Sequence, residues 1–187
     1  MLPSLRLASY AAGMAKASLE PSKHTQSARM GKAVEHLVAA SCILASRARL
    51  NVSTSLVDDE GVDLVFHHRD GTATLAVQVK ARMSDSKRVM SGGFVTFVRE
   101  QTFRARPDLY MLFVSADVET GTFELAWLVP SKDFERGAQR DRKRGRLRFS
   151  GSANPASHDK WSRYKVTRKE LPMQILAVLT KLDARKR

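Results

Sequence analysis

The segment that most constrains the fold is a pair of alternating runs, residues 62–67 (VDLVFH) and 72–80 (TATLAVQVK). Alternation of apolar and polar residues with a period of two is typical of β-strands. Between the runs stand Asp70 and Gly71, and Asp-Gly is a favoured two-residue hairpin turn. The segment therefore predicts an antiparallel hairpin, in which every side chain is assigned to one face or the other.

The register of this hairpin brings three polar side chains together. With a two-residue turn, Asp63 lies directly opposite Gln78, and Lys80 lies opposite Gly61. Directly opposed residues point to one face with Cβ atoms about 4.5 to 5.5 Å apart, so Asp63, Gln78 and Lys80 form one polar patch. A four-residue loop moves the partner of Asp63 to Ala76 but keeps the patch, and only a bulge breaks it. The plainer interpretation is that this face meets water.

The composition indicates one globular domain with a basic surface. The 187 residues are 43% apolar and 27% charged. No run of about 18 apolar residues is present to span a bilayer. Lys and Arg number 32 against 19 acids, and this net charge of +13 indicates a polyanionic partner, either nucleic acid or an anionic membrane surface. Cys42 is the single cysteine, which excludes an internal disulfide and a cysteine-based metal site.

Residues 1–29 are predicted to be a flexible N-terminal arm, and residues 30–187 the folded domain. The arm is rich in Ala, Ser, Lys and Arg, has Glu20 as its only acid, and lacks the apolar run of a signal peptide. An amphipathic targeting peptide is one alternative for this segment. Another is that translation begins at Met14 or Met30.

The first regular pattern predicts an amphipathic helix over residues 30–47. Val34, Leu37 and Val38 fall on one apolar stripe of this helix. Glu35 leans over the stripe, because it shares a side with Val38 three residues on. A carboxylate in that position either has a cation or a partner, or reaches solvent at the edge of the stripe.

Further strands and helices complete an α/β pattern. A short helix is predicted after Pro130, with Ser131 as its cap. A C-terminal helix is predicted over 168–183, because Thr167 and Glu170 have the spacing of a capping box, although Pro172 allows a later start. Apolar runs predict additional strands over 50–57, 94–98, 109–115 and 123–129.

The polar patch has the donors that phosphodiester hydrolysis needs. Nucleases commonly hold a hard cation on oxygen ligands and position a water molecule for attack. The Asp63 carboxylate, the Gln78 amide oxygen and the Val79 carbonyl can hold Mg²⁺, and Mn²⁺ can substitute. Lys80 can orient the attacking water, and Glu35 can contribute through a bound water molecule.

Asp63 also belongs to an acidic cluster with Asp58, Asp59 and Glu60 in an otherwise basic chain. A solvated turn is sufficient to explain residues 58–60. Asp63 differs because it lies inside a strand pattern, where Asp is disfavoured. A functional explanation is therefore needed for Asp63 more than for its neighbours.

Three motifs in order, GKAVEHLVAA, EGVDLVF and AVQVKAR, resemble the PD-(D/E)xK nuclease superfamily over residues 30–130. The resemblance implies a restriction-endonuclease-like α/β core, in which a helix is followed by a mixed central β-sheet with flanking helices. By this resemblance Glu35 matches the helix acid and Asp63 the hairpin aspartate. Gln78 matches the variable acid position and Lys80 the lysine.

Two positions depart from the superfamily pattern. Gln78 replaces an acid, as in a branch that includes some homing endonucleases and Holliday-junction-resolvase-like proteins. Those proteins keep activity, but the loss of one charge implies weaker metal affinity. Val62 stands where the superfamily often has Pro.

Residues 136–160 are predicted to be a basic loop. Its first part, RGAQRDRKRGRLR, is expected to follow the phosphates of DNA, and the alternative is a solvated basic loop. Trp161 and Tyr164 can stack on bases, but core packing is the favoured interpretation. The basic residues assigned to DNA are Arg136, Arg140, Arg142, Lys143, Arg144, Arg146 and Arg148.

These features together predict a Mg²⁺-dependent DNA endonuclease that hydrolyses phosphodiester bonds. The alternative is a non-catalytic nucleic-acid-binding protein on a nuclease-like scaffold. DNA rather than a membrane is the expected partner, and a cytoplasmic, DNA-associated location is expected. A homodimer or homotetramer is expected, because a domain with one site needs a second copy to cut both strands.

Overall fold

The computed structural model describes residues 23–54, 61–154 and 156–185. Backbone contacts divide the chain into Met1–Met30 and Gly31–Arg187, and the strands belong to the second unit. The helices are α1 (Lys23–Ala45), α2 (Lys87–Met90), α3 (Ser131–Gly137) and α4 (Leu171–Ala184). The strands are β1 (Leu50–Thr54), β2 (Leu64–His68), β3 (Thr74–Met83), β4 (Gly93–Arg99), β5 (Leu109–Asp117), β6 (Thr122–Pro130), β7 (Gln139–Asp141), β8 (Arg146–Ser152) and β9 (Lys165–Thr167).

The central sheet is mixed and has six strands in the order β1-β2-β3-β5-β6-β9. Strands β3 and β5 run parallel, and the other neighbours are antiparallel. A parallel pair needs a long crossover, and here residues 84–108, which include α2 and β4, provide it. The predicted α/β fold, a mixed central sheet with flanking helices, is confirmed.

One face of the central sheet packs against helices. Val38 and Cys42 of α1 belong to one apolar cluster with Val77 and Val79 of β3, and residues of α4 join it. Consecutive residues of a strand point to opposite faces. Gln78, which stands between the two valines, therefore points away from the helices.

The opposite face packs against a second sheet of three strands in the order β4-β8-β7. The core between the sheets is aromatic, and Phe113 of β5 stacks on Phe149 of β8 with ring centroids 3.8 Å apart. Trp161 is 2% exposed and belongs to the same core, which confirms the packing interpretation for this residue. The second sheet was not predicted.

The prediction of a basic loop over residues 136–160 is wrong. The segment contains the end of α3, then β7, a 3-10 turn at Arg142–Arg144 and β8. Leu147 and Phe149 are buried and alternate with Arg146 and Arg148, so β8 has one apolar and one basic face. The high arginine content made the segment resemble a loop, although its apolar and basic residues alternate with the period of two that is typical of a strand.

The predicted helix boundaries differ from those observed. Helix α1 already begins at Lys23, ahead of the predicted start at residue 30, since a polar first turn gives no apolar signal. Helix α4 begins at Leu171, and Thr167 and Glu170 exchange hydrogen bonds in the turn before it. Ser131 does not cap α3. Its hydroxyl bonds the backbone of Arg106 instead.

Two predicted segments lie outside the described residues: most of the N-terminal arm, residues 1–22, and the acids Asp58, Asp59 and Glu60. In the part of the chain that is described, no helix has the length and apolarity to span a membrane.

Candidate active site

The hairpin of β2 and β3 has the predicted register. Its pairs run from Leu64↔Val77 to His67↔Thr74. The predicted two-residue turn is not formed, because the Gly71 N–H donates to the carbonyl of His68 at 3.3 Å and pairing stops before it. The turn therefore differs, while residues 64–67 pair with residues 74–77 in the expected register. The predicted pairs of Asp63 with Gln78 and of Gly61 with Lys80 are not formed. Asp63 and Leu64 both face Val77, as in a β-bulge, because the N–H of Asp63 also donates to the Val77 carbonyl.

The backbone N–H groups after the turn are bound from the far end of the chain. Oδ1 of Asp183 in α4 accepts from the N–H of Thr72 at 3.0 Å and from the N–H of Ala73 at 2.7 Å. These N–H groups would otherwise extend the β2–β3 ladder. The C-terminal helix thus holds the turn of the hairpin.

At the other end of the hairpin, the carboxylate of Asp63 takes the place of a backbone carbonyl as the acceptor for an N–H group of β3. Its N–H donates to the Val77 carbonyl at 3.0 Å, and its Oδ2 accepts the Val79 N–H at 2.6 Å. Asp63 is 9% exposed. Its carboxylate is thus fixed beside the backbone that flanks Gln78, which gives Asp63, the residue before β2, a structural role.

Gln78 is a nearly buried amide, 7% exposed, whose side chain makes no hydrogen bond to the described residues. The Gln78 side chain fits there because Gly61 has no side chain. A Cβ at Gly61 would lie 2.7 Å from Nε2 of Gln78, and the φ of +66° at Gly61 also favours glycine. An amide held in a confined place without a protein partner is suited to a ligand.

Gln78 and Lys80 line a cavity of about 420 Å³ between the two sheets, which we call the hairpin cavity. Its lining contains Lys and Arg but no Asp or Glu among the described residues, and the Lys80 ammonium makes no ion pair there. The charge of the lining suits an anion. The lining residues are Gly61, Gln78, Lys80, Arg82, Thr96, Phe97, Arg99 and Thr102.

Arg82 connects the cavity to the second sheet. It follows Lys80 by two residues and therefore shares its face of β3. Its Nε donates to the Val95 carbonyl of β4 at 2.8 Å, and burial lowers the pKa of its guanidinium below the usual value. The cation is thus fixed at the rim where the two sheets meet.

Glu35 is not bonded to the other candidate residues among those described. Its carboxylate pairs with Lys32 on its own helix at 2.7 Å, and its side chain is 14% exposed. Helix α1 packs on the Val77 and Val79 side of β3, opposite to the side of Lys80. The cation that was expected beside the Glu35 carboxylate is therefore Lys32 of the same helix.

The donors around Asp63 fit a hard cation, although they include few carboxylates. In the described part of the chain, no three His, Cys, Asp or Glu side chains come together to hold a metal. The N–H and carbonyl of one strand residue point to the same side, so the Val79 carbonyl points toward β2, as its N–H does toward Asp63. One carboxylate, one amide and one carbonyl oxygen are donors of the kind that Mg²⁺ takes together with several waters. Asp63, however, does not line the hairpin cavity with Gln78 and Lys80.

The basic residues assigned to DNA fall into different environments. Five of them have partners: Arg136 pairs with Asp133, Arg140 with Glu100, Arg144 and Arg146 with Asp141, and Arg148 with Gln139. The side chains of Arg142 and Lys143 are exposed and make no such bond to the described residues. These two cations are the most available to an anion.

A second cavity, of about 390 Å³, opens beside the first, and we call it the arginine cavity. Arg140, Arg144 and Arg148 line it together with Val95, Phe97, Gln139 and Asp141. Sequence reasoning found these three arginines but missed Arg82, Phe97 and Arg99. The run FVTFVRE contains the signal, because its alternation places Phe97 and Arg99 on one face of a strand.

No family model matches the sequence, and no curated protein matches it. Among solved structures, a match is the bacterial homing endonuclease I-Ssp6803I, with a TM-score of 0.53 and 15% sequence identity. The match covers 83% of this chain and 96% of that chain. The fold is similar to that of a homing endonuclease. At this identity the likeness extends to the fold alone, and the PD-(D/E)xK assignment stays a prediction.

Proposed function

We propose that the protein is a metal-dependent DNA endonuclease of the PD-(D/E)xK type that hydrolyses phosphodiester bonds. The observation that carries this proposal is the confined amide of Gln78 beside Lys80 in a cavity lined by cations, where it makes no hydrogen bond to the described residues. An amide that faces a cavity in this way is available to a ligand. The homing-endonuclease-like fold supports the same class of activity.

Each candidate residue has a distinct role in this proposal. Asp63, Gln78 and the Val79 carbonyl would hold Mg²⁺ or Mn²⁺, which supplies charge stabilisation to the phosphate in the transition state. Lys80 orients the attacking water. The water oxygen bonds to phosphorus and gives up a proton to solvent, the ester P–O bond breaks, and the leaving oxygen takes up a proton. Glu35 would contribute only through a bound water molecule, and only after it gives up its bond to Lys32.

The DNA backbone would be bound by the arginine-rich segment, with Arg142 and Lys143 as the most available cations. Arg140, Arg144 and Arg148 offer a preformed concave surface, since they line the arginine cavity. Charge complementarity with phosphate supports this assignment. Arg136 lies apart from that cavity, in α3 beside Asp133, and its contribution would be smaller.

A non-catalytic nucleic-acid-binding protein is the second candidate. It is favoured by the pairing of Glu35 with Lys32 and by the absence of a cluster of three acids among the described residues. The two candidates differ in one assay. Purified protein is incubated with plasmid, single-stranded and branched DNA in Mg²⁺ or Mn²⁺. A nuclease cuts at least one substrate, and Lys80→Ala binds DNA without cutting. Lack of cleavage by the wild type on every substrate contradicts the nuclease proposal.

We also propose a homodimer or homotetramer in the cytoplasm, in association with DNA. Cleavage of both strands by a domain with one site supports a symmetric assembly. Light scattering of the purified protein measures its mass directly. A stable monomer in the presence of DNA and Mg²⁺ contradicts this assembly.

A further inference from the structure

Strand β4 and its neighbour β8 present arginines on one face of the second sheet. In the second sheet Arg99 of β4 lies directly opposite Arg146 of β8. Like charges directly opposite each other destabilise a sheet. Arg146 is neutralised by Asp141 at 3.1 Å. Arg99 is exposed, and its side chain has no bonded partner among the described residues.

Phe97 holds Arg146 in place rather than offering a stacking surface. The guanidinium of Arg146 lies over the Phe97 ring, 4.1 Å from its centroid. A ring face covered in this way is not open to a base, and the cation–π contact fixes the charge of Arg146. The outer face of the second sheet is therefore a surface of positioned cations suited to phosphates.

The two cavities meet at Phe97. This residue lines the hairpin cavity, which contains Gln78 and Lys80, and it also lines the arginine cavity, which contains Arg148. Arg148 lies directly opposite Phe97 in the sheet. Cations therefore follow one another from β3, across β4, to β8. An extended polyanion fits such a path better than a compact ligand does.

We propose that a strand of the DNA substrate leaves the candidate active site along this path, and that Arg99 binds the phosphate next to the one that is cleaved. Arg82, fixed to the Val95 carbonyl, marks where the strand passes from β3 to β4. Arg148, whose partner Gln139 is neutral, then binds the following phosphate on the outer face of the second sheet, and Arg146, which is paired with Asp141, lies beside it. This inference rests on the proposed function, since it takes the hairpin cavity as the place of cleavage.

The test measures binding without cleavage. Labelled duplex is titrated with wild type and Arg99→Gln in buffers free of divalent cations, over a series of salt concentrations. Arg99→Gln is expected to weaken binding and to reduce the slope of log K against log salt by about one. Arg69→Gln is the matched control, because Arg69 is also exposed but lines neither cavity. Its slope is expected to equal that of the wild type.

A second measurement locates the phosphate. Once the cleavage position is mapped, one neighbouring phosphate of the duplex is replaced by a neutral methylphosphonate. The replacement is expected to weaken binding by the wild type and by Arg69→Gln, and to have no further effect on Arg99→Gln. Equal losses in all three proteins overturn the assignment to Arg99.

The outcomes separate this inference from the proposed function. Cleavage by the wild type together with an unchanged salt slope for Arg99→Gln overturns the inference alone. DNA binding without any cleavage, with a reduced slope for Arg99→Gln, overturns the nuclease proposal and retains Arg99 as a phosphate ligand. An equal reduction of slope in Arg99→Gln and Arg69→Gln shows non-specific attraction and overturns the path. No binding by the wild type overturns both.

Discussion

The carboxylate of Asp63 accepts the backbone N–H of Val79 at 2.6 Å, so the residue proposed to hold a metal also completes the edge of its own hairpin. These two roles can be separated by substitution. Asp63→Asn keeps an oxygen that can accept this hydrogen bond but loses the charge. Asp63→Ala loses both.

We expect the free energy of unfolding of Asp63→Asn to lie within about 1 kcal/mol of the wild-type value. Asp63→Ala is expected to lose about 1 to 3 kcal/mol of this free energy, because the buried Val79 N–H then has no acceptor. Both are expected to abolish cleavage. Urea unfolding and plasmid cleavage measure the two effects. Retained cleavage by Asp63→Asn would contradict a role for the charge.

Gln78 offers a test in which the site gains a charge. Gln78→Glu has nearly the same shape and supplies a carboxylate in place of the amide. We expect it to bind Mg²⁺ and Mn²⁺ more tightly, and therefore to gain more thermal stability on addition of metal, since a ligand that binds only the folded state stabilises it. Gln78→Met is expected to lose the response. Equal shifts of the melting temperature in all three proteins would show that residue 78 contributes no ligand.

Gly61 and Gly121 form a matched pair for the space around Gln78. Both have positive φ, +66° and +62°, but a Cβ at Gly61 would lie 2.7 Å from Nε2 of Gln78, whereas a Cβ at Gly121 has nothing within 4 Å. Backbone strain is expected to lower the free energy of unfolding of both alanine variants by about 1 to 2 kcal/mol. Only Gly61→Ala should also lower the metal response and cleavage. If Gly121→Ala lowers them equally, strain rather than displacement of the amide is responsible.

Chemical labelling of Cys42 tests whether the apolar core between α1 and the central sheet opens. It is fully buried, and burial raises the pKa of its thiol from 9.0 to about 12. The thiolate is the reactive form, so at pH 8 the folded protein should react with a thiol reagent only through unfolding. Labelling is followed by mass spectrometry with and without denaturant. Fast labelling of the native protein would mean that α1 separates from the sheet.

The hydrogen bonds between Asp183 and the hairpin turn should contribute measurably to the free energy of unfolding. Ala73 is 2% exposed, and its N–H donates to Asp183. Asp183→Ala is expected to lose about 1 to 3 kcal/mol in urea unfolding, because two backbone N–H groups lose their acceptor. Asp183→Asn keeps an acceptor oxygen and should lose less. A loss as large for asparagine as for alanine would assign the effect to charge instead.

The register of residues 64–67 with 74–77 was predictable, because alternation over residues 62–67 and 72–80 and an Asp-Gly pair are local signals. The irregular ladder at Asp63 was not. The structure of the hairpin turn was not, since Asp183 binds the amides of Thr72 and Ala73 from a helix that is distant in sequence. Local propensity cannot contain such a contact.

The second sheet was missed for a different reason. Arginine occupies the outer positions of β8, and a segment with that much charge resembles a solvated loop more than a strand. The contribution of Phe97 and Arg99 to the site depends on β4 lying across β3, which follows from the crossover between two parallel strands. The alternation of the hairpin predicted that Gln78 and Lys80 share one face of a strand, but it contains no information about what lies across that face.

The tie between Asp183 and the hairpin also has a consequence for the order of events on the ribosome. Thr72 and Asp183 are 111 residues apart, and translation proceeds from the N-terminus. At about 5 to 20 residues per second, the carboxylate that secures the turn is polymerised roughly 6 to 22 s after the turn itself. Until Asp183 has been synthesised, a nascent chain therefore carries the hairpin turn without the acceptor for the N–H groups of Thr72 and Ala73.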